Sequence, residues 1–342
     1  TSAHNNPHSI DFTNMHVTEI TLETRNIRLQ NGVLRGRMDH LTAREQSGYF
    51  LRHMEGDVTV TNKEALVKNL VIQDDYSVIT AHHFLMHYGN VNNLSDYVNK
   101  VQMELDMDNA FVSFKSIAYY AGGLSSDFVL DLKASGKVTG TVSNLQSDLL
   151  DVHSVTGKTR ILCNFLLTGL PIAEESVLLV GIDSLHSDIG DLNHILYSIA
   201  AVDLKNLEQH AGPRTAFDFR GRLAGLLTDF VVDGNLKGDF GNLNLDLLIN
   251  SKGHHDGVLL SGMANISRLD LGMLTGIETL GTCSLYTKAA ATIKRGGFRN
   301  LHTHIDTLSL AYLEFNNYVF RDFKLLGEFQ NGVFDGRMSA SD

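Results

Sequence analysis

The sequence contains no tryptophan, three prolines and two cysteines in 342 residues. Each shortage excludes something. Two cysteines cannot build a disulfide framework. In "ILCNFLLTG", Cys163 shares a strand face with Ile161, Phe165 and Leu167, so the expectation is a buried free thiol there. So little proline suits long sheet segments in which interior residues donate to the ladder. Without Trp, and with Tyr not spaced at strand ends, the aromatic girdles of a transmembrane barrel are missing. Basic residues are outnumbered 28 to 39, for a formal net charge of -11, and the densest basic stretch is the short "IKRGGFR". No positive footprint exists to displace counterions from phosphates, which argues against nucleic acid. Long apolar runs are absent too: "VLLVGI" at 177–182 and "ILYSIAAV" at 195–202 fall far short of the roughly 20 residues a membrane helix needs. The first apolar residues are scattered among His and Asn, unlike a signal peptide. The chain opens on Thr1 and ends on Asp342 after a strand-like stretch. We expect an internal segment of a longer protein, with any membrane anchor outside it.

What is present speaks in period two. Hydrophobic residues make up 43% and charged residues 20%, enough for a large apolar interior. "VQMELDMD" sets Val101, Met103, Leu105 and Met107 against Gln102, Glu104, Asp106 and Asp108, a strand with one greasy and one acidic face. "NLNLDLLIN" does the same with Leu243, Leu245, Leu247 and Ile249. "FVLDLKA" offers Phe128, Leu130 and Leu132, "AFDFRG" offers Phe217 and Phe219, and "LSLAY" offers Leu308, Leu310 and Tyr312. Turn signals fall between such runs at Asn31-Gly32, Asp233-Gly234, Asp256-Gly257 and Asn331-Gly332. "LQNGVLRGRM" near the start returns as "FQNGVFDGRM" near the end, the mark of a repeated hairpin unit without a fixed period. Helical spacing is confined to 185–211, closed by Gly212-Pro213, and to a short turn at 93–101 with Ser95 as its N-cap. The chain therefore reads as all-β and antiparallel, with one or two short helices.

A sheet with one apolar face has to hide that face. A second sheet, a curling of the same sheet, a membrane or bound lipid chains would each do so, at about 25 cal/mol per Å² removed from water. Alternation alone ranks a sandwich first and does not separate it from an open groove.

Three stretches carry a resemblance: "IDFTNMHVTEITLETRNIRLQNGVLRGRMDHLTAREQSGYFLRHMEGDVTVT", "GRLAGLLTDFVVDGNLKGDFGNLNLDLLIN" and "LEFNNYVFRDFKLLGEFQNGVFDGRMSASD". They are similar to the TamB/AsmA-like family in its Bacteroidota form, over nearly the whole chain. The likeness lies in a cadence of Gly, Asn, Asp and aromatics, and not in a catalytic signature. The family's anchor helix and its defining C-terminal domain are missing here. The resemblance implies an elongated, curled sheet, a β-taco, with groove repeats over 1–184 and 213–342 and a helical interruption at 185–212. It implies a periplasmic bridge tethered to the inner membrane, with phospholipid acyl chains as client. It further implies a barrel partner of the Omp85 class, reached through regions outside this chain, and neither cofactor nor catalysis. Candidate wall residues are Val101, Met103, Leu105, Met107, Phe128, Leu130, Leu132, Ile161, Phe165, Leu167, Phe217, Phe219, Leu243, Leu245, Leu247 and Ile249. The alternative is an extracellular or periplasmic scaffold or adhesin, a β-solenoid or sandwich with a self-packed core.

Other constellations are weaker. Sixteen histidines invite a metal reading. His302 and His304 would share a strand face at about 7 Å, but His83 and His87 would stand about 13 Å apart, and "GHHDG" reads as a solvated tip. Glu104, Asp106 and Asp108 have the spacing of glycosidase carboxylates, yet such rows are ordinary on solvated sheet faces. "GRLAG" and "KRGGF" match no phosphate-binding loop.

Overall fold

A computed structural model of the chain describes residues 9–11, 14–120, 130–172, 175–200, 204–226, 229–250, 257–294, 302–330 and 333–340. Strands occupy 70% of it and helices 13%, in one antiparallel sheet of nineteen strands that does not close, with five short helices. The all-β expectation holds.

Contacts divide the chain into two compact units, 1–155 with 162–178, and 156–161 with 179–342. In the first unit and across the division run β1 (Val17–Gln30), β2 (Val33–Glu45), β3 (Phe50–Leu51), β4 (His53–Val60), β5 (Glu64–Gln73), β6 (Val78–His87), β7 (Gln102–Ser113), β8 (Asp131–Thr141), β9 (Asn144–Ser154), β10 (Arg160–Thr168) and β11 (Val177–Asp188). Helices α1 (Tyr97–Lys100) and α2 (Phe114–Tyr120) flank β7. The second unit continues with α3 (Ile189–Ala200), α4 (Lys205–Ala211), β12 (Ala216–Leu226), β13 (Asp229–Gly238), β14 (Gly241–Asn250), β15 (Gly257–Asp270), α5 (Leu271–Thr275), β16 (Leu280–Lys294), β17 (His302–Phe315), β18 (Tyr318–Gln330) and β19 (Val333–Ala340). Strands follow chain order as a meander, β3 and β4 both lying along β2.

Local chemistry sets the turns. Asn31 and Gly32 take φ of 53° and 75°, the positive pair that a type I′ hairpin requires and that the sequence pattern predicts. Asn316 and Asn317, at 50° and 65°, make the same device between β17 and β18. Asp233-Gly234, read from sequence as a turn, instead lies in the middle of β13, with Gly234 directly opposite Gly221 and Leu245. The physical reason is close approach. A Cβ on Gly234 would stand 2.7 Å from the Phe219 ring and 2.8 Å from the Gly221 Cα, so glycine serves packing there. Of the other two signals, Gly257 opens β15, while Asp256 and Asn331-Gly332 lie outside the described residues. Between β6 and α1, Val91–Asp96 forms a 3-10 turn whose N-cap is Asn90, accepting from the Asn92 N–H, and not Ser95. Leu185 belongs to the end of β11, so the helical segment begins only at Ile189.

Two further residues with left-handed φ sit where the registers slip: Asn109 beside the shift between Met107 and Ala110, Arg268 beside that between Ile266 and Leu269. Such bulges add twist to a long sheet. Two small cores form. In the first unit Val67, Leu70 and Ala81 are buried among Met54, Val58, Ile72, Phe84 and Leu105. In the second, Ile189, Phe217 and Phe240 are buried against Leu192 of α3, Leu207 of α4 and Met273 of α5. Residues 156–161 join this unit for a polar reason: Thr156 donates its hydroxyl to Asp191 Oδ1 at 2.6 Å, and Lys158 Nζ lies 3.4 Å from Asp188.

Candidate functional site

In the second unit, strand register aligns apolar residues into rows on one face. Phe219, Leu236, Leu243, Ile266, Leu285, Leu310 and Phe323 stand opposite one another from β12 to β18. One step along the strands, Leu245, Ala264, Thr287, Leu308, Leu325 and Met338 form a second row. A third runs through Leu223, Val232, Leu247, Gly262, Ala289 and Ile305. A fourth holds Phe230, Ile249, Leu260, Ala291, Thr303, Phe329 and Phe334. Eight strands at about 4.8 Å make a face about 34 Å across. Helices α3, α4 and α5 pack over the end of this face marked by Phe217, Leu236 and Leu243. Farther along, Leu245, Leu247 and Ile249 remain half-buried.

Of the residues singled out by alternation, Phe217, Phe219, Leu243, Leu245, Leu247 and Ile249 come together on that unit. Phe217 and Phe219 are buried, Phe217 beneath the helices. Phe230, Val232 and Leu236 belong to the same rows but were hidden by the misread turn at Asp233-Gly234, although they keep the alternation through it. Tyr312 leaves the pattern. A bulge at Ala311 pairs Tyr312 with Ser284 while Leu310 pairs with Leu285, and the phenol lies 3.3 Å from Thr282 Oγ1 among polar groups.

In the first unit, Met103 stands between Met86 and Gly140, Leu105 between Phe84 and Val138, Met107 between Ala81 and Gly136, and Leu132 between Val112 and Ser154. Val101 is fully buried ahead of β7, its N–H bonded to the Tyr97 carbonyl. Leu130 is buried ahead of β8. The Tyr97 hydroxyl reaches Met103 Sδ at 2.9 Å, and burial raises the pKa of its phenol. The segment holding α1 thus rests on one end of the apolar face. On β10, Phe165 and Leu167 are half-buried in the first unit, whereas Ile161 falls in the second. Phe128 lies outside the described residues. The fifteen candidates among the described residues are therefore shared between two units.

The opposite faces carry ion pairs between strands, and in the second unit also the exposed Val231, Leu248, Met263 and Tyr286. Glu104 accepts from Lys137 Nζ at 2.8 Å and lies 2.8 Å from His83 Nε2. The Lys137 hydrogen bond, with the one to His83, holds the Glu104 carboxyl below the usual range. Arg222 and Asp233 form a bidentate pair across β12 and β13 at 3.0–3.3 Å. Arg37 spans Asp39, Glu55 and Asp57. On the same row of β7, Asp106 Oδ2 lies 3.9 Å from both His82 Nδ1 and His83 Nδ1. His304 pairs with Asp306 and Glu328. Among the described residues, no group of three His, Cys, Asp or Glu is arranged to hold a metal. Cys163 and Cys283 are both buried and not joined in a disulfide, and burial pushes the Cys283 thiol up to about 11.

Among the described residues, no helix is long and apolar enough to cross a membrane. No protein-family model, curated protein or solved structure matches this chain.

Proposed function

We propose that this chain is a segment of a TamB/AsmA-like, periplasm-spanning protein whose apolar face shelters phospholipid acyl chains on their way between membranes, or supports outer-membrane protein assembly. In this reading the inner-membrane tether and the contacts to an Omp85-class barrel lie in regions outside the chain. The observation that carries it is the set of ladder-aligned, half-exposed apolar rows on β12–β19. An acyl chain asks for no hydrogen bonds, only for a dry wall, and each methylene moved out of water contributes about 0.8 kcal/mol. Rows of Leu, Ile and Phe supply such a wall without any converging catalytic groups.

A scaffold with a self-packed core is the competing reading, favoured by the clusters around Leu70 and Ile189, which the protein's own side chains fill. Native mass spectrometry after gentle purification, with photo-crosslinking to an acyl-chain probe, separates the two. The groove reading expects co-purifying phospholipid and at least several-fold weaker crosslinking in Leu245→Asp. The outward control Asn244→Asp should crosslink normally. Lipid-free protein in which both variants behave alike would leave only the scaffold.

A further inference from the structure

Two histidines that the sequence keeps apart meet in the first unit, where β2 changes partner. His40 lies on β2, and His53 begins β4. The ladder between those two strands ends at Met38 opposite Gly56, and the one between β2 and β3 begins at Ala43 opposite Leu51. His40 and His53 fall in the gap, so neither is fixed by a ladder partner on the other's strand. Along β1 the register slips at the same place, between Glu23 opposite His40 and Thr24 opposite Met38. Irregularities of this kind re-aim side chains. Here the two imidazoles come to a centroid separation of 4.9 Å, with Nδ1 of one 2.6 Å from Nδ1 of the other.

A contact between two Nδ1 atoms has a defined chemistry. One nitrogen donates its N–H, and the other offers a lone pair. Nε2 of His53 faces Glu55 Oε2 at 3.5 Å, which favours the tautomer with the hydrogen on Nε2 and the lone pair on Nδ1. A carboxylate behind one ring nitrogen, with the other nitrogen free to bind, is the arrangement that orients metal-ligating histidine. Glu55 is itself held by Arg37, whose Nη2 lies 3.4 Å from its Oε1. Around the pair, the carboxylates of Asp39, Glu55 and Asp57 outnumber the guanidinium groups of Arg25 and Arg37. Glu23, directly across from His40, adds to that excess, which favours a cation. Both histidines are half-buried, so an ion can reach them from solvent while their neighbours set their orientation.

We propose that His40 and His53 chelate a divalent ion of the zinc, nickel or copper class through their Nδ1 atoms, with Glu55 orienting His53. Imidazole suits these ions, whereas magnesium and calcium prefer oxygen ligands. At bond lengths of about 2.0–2.1 Å in tetrahedral geometry, two ligand nitrogens stand about 3.4 Å apart. The rings therefore part by roughly 0.8 Å from the separation at which they share a proton. His40 moves its hydrogen from Nδ1 to Nε2 through solvent, so both rings bind in the neutral form. Among the described residues, no third His, Cys, Asp or Glu is placed to complete the shell, so water fills the remaining positions. The ion ties β2 to β4 across the gap in their ladder. It is a cross-strand link, separate from the apolar wall and from the lipid reading.

Titration of the whole 342-residue chain with zinc, followed by imidazole nitrogen NMR, tests this against the background of sixteen histidines. Below one equivalent, the signals of His40 and His53 should shift together and ahead of the rest, with Nδ1 as the bound atom. His40→Ala and His53→Ala should each weaken this first equivalent at least tenfold, and Glu55→Gln about tenfold. His302→Ala should leave it unchanged. In a second measurement, zinc should raise the melting temperature of the native chain and not that of His53→Ala, whereas magnesium should raise neither. The order of shifts in the native chain decides even where a variant folds poorly. A first response at His302, His304 or any other histidines overturns the proposal. So do His40 and His53 signals that follow pH and ignore zinc, which would leave only a shared proton. Equal zinc affinity in the native chain and Glu55→Gln overturns the part given to Glu55.

Discussion

Phe219 shows how single residues hold a sheet of this kind. Its ring lies across the Gly221–Gly234 pair, where two strands approach too closely for any Cβ. Phe219→Ala should cost about 3 kcal/mol, read as a drop in the denaturant midpoint with little change in slope, because it uncovers glycine backbone and opens a cavity. Phe334 lies across Gly327 and Gly336 in the same manner, which accounts for the recurring aromatic-x-Gly-Arg wording of "FRGRL" and "FDGRM". On the polar face, Glu104 has a folded pKa below its unfolded one, chiefly through Lys137 and then His83. The stability it contributes is therefore present above the ordinary carboxylate pKa of about 4.3 and is lost as pH falls through the depressed folded value. Lys137→Met should raise the Glu104 titration midpoint in an NMR pH series. An unchanged midpoint would show that His83 suffices.

At the scale of elements, bulges and caps decide where the meander bends and where it ends. Asn109 adopts φ of 51° at the slip between Met107 and Ala110, a conformation that Asn and Gly tolerate and β-branched residues resist. Asn109→Val should destabilise by about 1–3 kcal/mol and Asn109→Gly by much less, as thermal unfolding would report. Helix α5 is short, yet it is fixed at both ends: Asp270 Oδ1 accepts from the Met273 N–H at 2.8 Å, and Gly276 closes it at φ 72°. It presses Met273 and Leu274 onto the cluster around Phe240, together with Ile189 at the start of α3. Ile189 is 1% exposed, so Ile189→Ala should cost about 3 kcal/mol and loosen the helical cover at that end of the apolar face.

For the whole molecule, the governing quantity is the apolar area on β12–β19 that α3, α4 and α5 leave uncovered. A ligand that fills the apolar rows would stabilise the folded chain by mass action, about 2.7 kcal/mol at a hundred times its dissociation constant. A medium-chain maltoside below its micellar concentration should thus raise the melting temperature of the native chain, and less so that of Leu245→Asp. Equal shifts in both would show that the detergent binds elsewhere.

Much of this was legible in the residues alone. Period-two alternation placed Met103, Leu105, Leu245 and Leu247 on apolar faces, because a strand points successive side chains to opposite sides whatever its neighbours are. Asn31-Gly32 announced its turn because both φ values are local. Three matters were not local, and only the tertiary structure decided them. Asp233-Gly234 has the chemistry of a turn, and pairing with Gly221 and Leu245 made it strand. Tyr312 kept its alternation in sequence and changed face at a bulge that its partner strand defines. Whether an apolar row is covered depends on which helices fold back over it, as α3 and α4 do at Phe217. Periodicity determined the side each residue takes on its own strand. Register and cover arise from contacts between residues distant in sequence, and no local pattern encodes them.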